Sequence, residues 1–157
     1  MLKILLPIFL ISNLLLAAET KKCDKCTVAK EYMRCTYYVE QKADLSHQNS
    51  CMVYAREMEK NNNSGRAAWY YLAAGDFDAA IRSGEKAIKV GENYASEHIA
   101  EAYLLKNDKE KAKNFFKKIG KSSKDAALMT VRHFSILARL YPDKFNIETA
   151  QKLYDNR

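Results

Sequence analysis

The chain has 157 residues, 48% of them hydrophobic, with only five glycines and two prolines. This composition can supply a buried core, so it excludes a disordered chain and a collagen-like one. The length favours a single domain, and the formal net charge of +7 raises the question of an anionic partner.

Residues 1–18 are predicted to be a signal peptide. Lys3 precedes an apolar run from Ile4 to Leu16, and the small residues Ala17 and Ala18 follow it. This is the order of the charged, apolar and cleavage regions in a secretory signal. The run is shorter than the roughly 20 residues that a membrane-spanning helix needs. We therefore expect cleavage near Ala18 and export, and the heavy use of Lys and Asn favours the bacterial periplasm.

The remaining chain alternates helical patterns with short breakers. It has no sustained period-two alternation, so an all-α fold is predicted. Ser46 is the expected N-cap of the second helix. The predicted helices cover residues 27–42, 47–60, 66–74 and 77–90, with breaks at 61–65 and at 75–76. A cysteine-containing hairpin over residues 19–60 thus precedes a longer helical region over residues 61–154.

Two stretches of this longer region share one layout at an offset of 32 residues. The first has Tyr71, Gly75-Asp76, Ala80 and Ala87, and the second has Tyr103, Asn107-Asp108, Ala112 and Ile119. Tyr141 and Ala150 suggest a third, weaker copy after an insertion of about six residues. Repetition at such a period indicates stacked helix pairs, because the apolar face of each pair is buried only by its neighbours.

The residues of the first copy, Trp69–Ile81 followed by Lys86-Ala87-Ile88, resemble a tetratricopeptide repeat, and residues 95–119 resemble a second one. The small, aromatic and alanine positions of that family are matched in three groups: Ala68, Tyr71 and Ala80; Ala100, Tyr103 and Ala112; Ala138, Tyr141 and Ala150. The period of 32 residues and the ending Gly91-Glu92 depart from the family pattern and leave Sel1-like repeats as an alternative. The resemblance implies a short solenoid with repeats at residues 61–92, 93–124 and 131–154.

The resemblance also implies a binding groove, because the first helix of each repeat lines a concave surface in such proteins. The residues carried over to that groove are Trp69, Leu72, Tyr94, Glu97, Glu101, Leu104, Arg132 and Arg139. Trp and Arg are enriched at interaction hot spots, and the alternative is that Trp69 belongs to the core between repeats. The implied function is a non-catalytic scaffold subunit of an envelope assembly, such as a flagellar motor, a secretion system or an outer-membrane complex. Its partners would be other proteins of that assembly, without a cofactor or small-molecule substrate.

The four cysteines, Cys23, Cys26, Cys35 and Cys51, all lie in the first third of the chain. An even number of cysteines in an exported chain favours disulfides. Cys35 and Cys51 lie on successive predicted helices at comparable distances from the intervening turn, so we predict that they pair, which leaves Cys23 with Cys26. A thiol-redox role for Cys23 and Cys26 is the alternative function. A four-cysteine zinc site is chemically possible, but an oxidising compartment disfavours it.

No catalytic constellation is predicted, and the chain is expected not to be an enzyme. It has no nucleophile elbow, phosphate-binding loop or metalloprotease motif. His47, His98 and His133 fall on or beside three different predicted helices, so solvated or packed imidazoles and no metal site are expected. Glu97 and Glu101 are four residues apart, a spacing that is more often found on an exposed helix surface.

A basic segment runs from Lys106 to Lys124, with eight lysines against Asp108 and Glu110. Export makes nucleic acid a poor partner, and the segment has no arginine for reading bases. A solvated helix face is the simpler interpretation. The alternative is contact with an anionic lipid, a cell-wall polymer or an acidic protein through Lys109, Lys113, Lys117, Lys118, Lys121 and Lys124.

Overall fold

A computed structural model of the chain describes residues 24–119 and 124–157. These residues form eight α-helices and no strands, so the predicted all-α fold is confirmed. The predicted signal peptide lies outside the described residues, as do Cys23 and Lys121. Among the helices described, none combines the length and the apolar character needed to cross a membrane.

The helices follow one another with short connections. Helix α1 (Asp24–Arg34) continues directly into a π-helical segment (Cys35–Gln41), and a 3₁₀ turn (Leu45–His47) leads into α2 (Gln48–Lys60). The others are α3 (Ser64–Ala74), α4 (Phe77–Lys89), α5 (Ala95–Leu105), α6 (Lys109–Phe116), a 3₁₀ turn (Lys117–Ile119), α7 (Lys124–Leu140) and α8 (Ile147–Asp155).

The entry into α2 differs from the prediction that Ser46 caps this helix. Asp44 accepts hydrogen bonds from the Ser46 backbone N–H (3.0 Å) and the Ser46 hydroxyl (2.6 Å), and so caps the 3₁₀ turn. His47 occupies the N-cap position of α2 without a capping side-chain bond. The reason is local, because an Asp side chain readily bonds the backbone two residues further on.

The N-terminal hairpin is closed by a disulfide between Cys35 and Cys51, which confirms that predicted pair. Both cysteines are fully buried, so the bond ties the π segment to α2 inside the core. Cys26 is exposed in the first turns of α1. The pairing of Cys26 with Cys23 stays a prediction.

The 32-residue offset corresponds to the same turn built twice, between α3 and α4 and between α5 and α6. A residue with positive φ follows the end of the first helix, Gly75 at 82° and Asn107 at 61°. The next residue, Asp76 or Asp108, donates its backbone N–H to the carbonyl five residues earlier (3.0 and 2.8 Å). Its carboxylate then accepts the N–H three residues later (2.9 and 3.1 Å) and caps the second helix.

The third pair, α7 and α8, is joined differently and reaches back over the fold. Asn146 caps α8, the Tyr141 hydroxyl donates to the Leu72 carbonyl (2.7 Å), and Arg139 donates to the Glu40 carbonyl (2.8 Å). Helix α7 thereby meets the π segment, and the residue that follows it meets α3. In a linear stack each pair touches only its neighbours, so packed consecutive pairs are established while a solenoid stays a prediction.

Candidate functional site

The return of α7 closes a pocket of about 310 Å³ between α1 with its π segment, α3, α5 and α7. The rings of Tyr32, Trp69, Tyr70 and Tyr94 line it, together with the guanidinium groups of Arg66 and Arg132. A concave site with aromatic walls and a few polar groups is the usual form of a binding pocket.

Trp69, the only tryptophan of the chain, joins the two sides of this pocket. Its indole N–H donates to Glu40 Oε1 of the π segment (2.9 Å), and its ring stacks on the His133 imidazole of α7 with centroids 4.1 Å apart. Burial raises the pKa of Glu40, and the Trp69 hydrogen bond and the nearby charges of His133 and Arg132 only partly offset this. Trp69 is 8% exposed, so it is a core residue that also lines the pocket.

Four side chains that could bind a metal ion meet beside Trp69. Glu97, His98 and Glu101 lie on one stretch of α5, and His133 comes from α7. One nitrogen or carboxylate oxygen from each lies within 4.8 Å of the other three. We call these four residues the His–Glu cluster. The three histidines do fall on or beside three different helices, but α7 brings His133 against α5, so that His98 and His133 share one cluster.

His98 and Glu101 are buried, Glu97 and His133 are partly buried, and the four side chains are unevenly paired. His133 Nδ1 lies 2.7 Å from Glu97 Oε1, His98 Nδ1 lies 2.9 Å from Glu101 Oε2, and the Thr130 hydroxyl donates to Glu97 Oε2 (2.7 Å). Glu101 Oε1 has no hydrogen-bond partner among the described residues. Glu101 is fully buried, so the interpretation of the Glu97 and Glu101 spacing as an exposed helix surface is wrong.

Burial sets the protonation of the cluster. It raises the pKa of Glu101 well above the ordinary value, and the Glu97 charge adds to this effect. Burial also lowers the pKa of His98, so the His98–Glu101 pair favours its neutral form. Burial alone would raise the pKa of Glu97, but the His133 hydrogen bond and the His98 and His133 charges outweigh it and lower that pKa.

The structure distributes the eight residues of the predicted groove over four places. Trp69, Tyr94 and Arg132 line the pocket, and Glu97 and Glu101 belong to the His–Glu cluster. Leu72 and Leu104 lie in the hydrophobic core, and Arg139 lies at the C-terminal end of the π segment. The sequence interpretation missed Glu40, Arg66, His98 and His133. The one available signal was that the two histidines directly follow Glu97 and Arg132, which the resemblance had already assigned to the groove.

The lysines of the basic segment form a separate surface. Lys109, Lys117 and Lys118 are exposed on α6 and the following 3₁₀ turn, and Lys113 is half-buried. Lys124 begins α7. Lys109, Lys113, Lys117 and Lys118 are not among the residues that line the pocket. Two further lysines of the segment form ion pairs, Lys106 with Asp78 and Lys111 with Asp108, which neutralise their charges locally.

The site therefore offers two kinds of chemistry. Its aromatic rings and guanidinium groups suit contact with a partner, and its two imidazoles and two carboxylates suit a cation or a proton. Comparison of the chain with protein-family models, with curated proteins and with solved structures finds no match.

Proposed function

We propose that the protein is a non-catalytic interaction subunit of a bacterial envelope assembly, exported to the periplasm, and that its pocket binds an acidic segment of a partner protein. The resemblance to tetratricopeptide repeats and the predicted signal peptide support the general role. The observation that carries the proposal is the placement of Arg66 and Arg132 on the aromatic lining of the pocket beside Trp69.

The charge of the pocket favours an acidic segment. Both guanidinium groups belong to exposed residues, whereas the pKa of Glu40, the carboxyl group that lines the pocket with them, is raised by burial. A carboxylate of the partner would pair with a guanidinium through two parallel hydrogen bonds. Trp and Arg together are also the side chains that most often dominate interface energies.

The size of the pocket favours a short segment. A volume of about 310 Å³ lies at the lower end of the range for binding pockets, which are about 300–1,000 Å³. A few side chains of an extended or helical segment fit such a space, and a folded domain does not. The remaining surface around the pocket would contribute the less specific rim of the interface.

Photocrosslinking in the cells that produce the protein tests this proposal. A photoreactive amino acid replaces Met129, which is exposed and lines the pocket, or Val90, which is exposed and lies outside it. We expect a partner to be captured from position 129 and not from position 90, through a peptide that contains Asp or Glu.

Charge reversal supplies the matched control. Arg66→Glu with Arg132→Glu should lower capture at least tenfold, since like charges then oppose the acidic segment. Arg82→Glu, an exposed arginine of α4 outside the pocket, should leave capture unchanged. Equal capture from both positions, or capture that ignores the double reversal, would contradict the proposal. Capture only through mixed disulfides at Cys23 or Cys26 would favour the thiol-redox alternative.

A further inference from the structure

We propose that the His–Glu cluster is a binding site for one divalent transition-metal ion, with Zn²⁺ as the first candidate. This inference goes beyond the adaptor function and does not depend on it. It rests on the donor set, the charge balance, an unused acceptor and the groups that surround the ligands.

The donor set matches zinc chemistry. Two imidazole nitrogens and two carboxylate oxygens are all established zinc ligands, and a closed site uses four of them in a tetrahedron. Calcium and magnesium prefer oxygen ligands alone, so the two histidines disfavour both ions. The four ligand atoms already lie within 4.8 Å of one another.

Only modest movement is needed to reach zinc geometry. Ligand atoms around a tetrahedral zinc ion lie about 3.4 Å apart, given bonds of roughly 2.0–2.2 Å. The two hydrogen-bonded contacts, at 2.7 and 2.9 Å, would open slightly as the ion replaces the shared protons. The widest separation would close by about 1.4 Å, a distance that side-chain rotation alone can cover.

The charge balance also favours a divalent ion. Within the described residues, the ion pairs of Glu97 and Glu101 are made only with His98 and His133, and with no lysine or arginine. Two carboxylates, two neutral imidazoles and one divalent cation sum to zero. A neutral site avoids the large cost of burying a net charge. Without the ion, bound protons must hold the same balance.

Glu101 Oε1 is the observation that points most directly to a missing ligand. This oxygen is buried, has no hydrogen-bond partner within residues 24–119 and 124–157, and lies 4.0 Å from His133 Nδ1. A buried acceptor without a partner costs free energy, so native folds rarely retain one without a use. An ion between Glu101 and His133 would take up this acceptor.

Neighbouring groups hold two of the ligands in place, as outer groups do around known metal sites. The Thr130 hydroxyl fixes Glu97 through Oε2 and leaves Oε1 toward His133. The Trp69 ring stacks on the His133 imidazole. His98 and His133 also line the pocket, which gives an ion a route from solvent to the cluster.

A zinc titration of the full exported protein tests the site. The protein is stripped with a chelator and titrated with Zn²⁺ by calorimetry, in a Cys23→Ser, Cys26→Ser background that removes thiol ligands. We expect one ion per chain with micromolar or tighter affinity. Glu101→Gln and His133→Gln should each weaken binding at least tenfold, whereas Glu110→Gln and His47→Gln, which lie outside the cluster, should not.

Trp69 provides a second readout that does not rely on variants. Co²⁺ quenches a nearby indole, so one equivalent should quench the single tryptophan through His133, and Zn²⁺ should reverse the effect. Circular dichroism of each metal-free variant confirms that it is folded. The proposal is overturned by absent binding in folded protein, by binding that survives both cluster variants, or by binding lost with Cys23 and Cys26.

Discussion

Glu59 and Glu101 both lie between packed helices in this protein, and their surroundings differ sharply. Glu59, near the end of α2, accepts hydrogen bonds from the Tyr71 hydroxyl (2.8 Å), the Ser83 hydroxyl (3.0 Å) and the Lys86 ammonium group (3.3 Å). Glu101, in α5, has one hydrogen-bond partner, His98, and its second oxygen accepts no hydrogen bond from the described residues. We call the first arrangement, Glu59 with its three donors, the Glu59 network.

The difference separates a structural carboxylate from a candidate binding group. The Glu59 network uses donors from α3 and α4 to satisfy both oxygens of a residue in α2, and it keeps Lys86 at the surface. Glu101 is more deeply buried than Glu59 and yet has only one hydrogen-bond partner among the described residues. This contrast is why we propose an ion-binding role for Glu101 and a structural role for Glu59.

Loss of the disulfide should have the largest effect and should weaken both regions together. Cys51 shares α2 with Glu59, and Cys35 shares the π segment with Glu40, which supports Trp69 beside the cluster. Closing a loop of 16 residues contributes about 3 kcal/mol in the chain-entropy model. Cys35→Ser with Cys51→Ser should therefore lower the free energy of unfolding by about 3 kcal/mol, measured with denaturant. A loss below about 1 kcal/mol would show that other contacts already hold the hairpin.

Zinc binding should have the next largest effect, and it should distinguish Glu101 from Glu59. At roughly a hundredfold excess over its Kd, Zn²⁺ should stabilise the wild-type protein by about 2.7 kcal/mol. Glu59→Gln starts from a lower free energy of unfolding but should gain the same amount when Zn²⁺ is added. Glu101→Gln should gain little. Denaturant unfolding with and without Zn²⁺ measures these differences. An equal gain in both variants would break the distinction between the two carboxylates.

Glu59→Gln should cost about 1–2 kcal/mol at pH 7, because hydrogen bonds to a charged group are lost. Burial alone would raise the pKa of Glu59, but the bonds from Tyr71, Ser83 and Lys86 outweigh it and lower that pKa below the ordinary 4.5. A lowered carboxyl pKa adds stability above the unfolded value, and this stability is lost as the pH falls through the folded value. The difference between the proteins should therefore be constant above about pH 5 and vanish in acid. Thermal unfolding across a pH series checks this, and a constant difference down to pH 2 would contradict it.

Glu101→Gln in the metal-free protein should have the smallest effect, within about 0.5 kcal/mol of wild type. The amide keeps the shape of the side chain and one hydrogen bond to His98, and no bond to the second oxygen exists to be lost. The same denaturant measurement in the presence of chelator gives the value. A loss comparable to that of Glu59→Gln would mean that Glu101 is structural as well.

The parts of the fold that depend on local chemistry could be predicted from the sequence. Gly75-Asp76 and Asn107-Asp108 carry a left-handed residue and a capping carboxylate in adjacent positions, so the repeated turn is encoded in two residues. The Cys35–Cys51 pair could be predicted for a similar reason, because the two cysteines lie at comparable distances from one turn. Ser46 shows the limit even there, since its hydroxyl donates to Asp44 and does not cap α2.

The candidate site depends on tertiary contacts that the spacing of residues does not contain. His98 and His133 are 35 positions apart and meet because α7 turns back over the fold. That return depends on individual contacts, such as Arg139 to the Glu40 carbonyl and Tyr141 to the Leu72 carbonyl. The periodic pattern of the sequence carries no information about these contacts. The i, i+4 spacing of Glu97 and Glu101 predicts that both lie on one face of a helix, but it does not indicate that this face is buried.

The π segment, Cys35–Gln41, determines the direction in which its later side chains, such as Glu40, face. An α-helix advances about 100° per residue, and the wider π turn accommodates an additional residue. With that additional residue, Cys35 is bonded to Cys51 of α2 while Glu40 faces the Trp69 indole. Deleting one residue here would restore the α-helical phase and rotate Glu40 away from the indole by about 100°. The alignment of Trp69 over His133 is thus linked to the pitch of a helix that contributes no residue to the cluster itself.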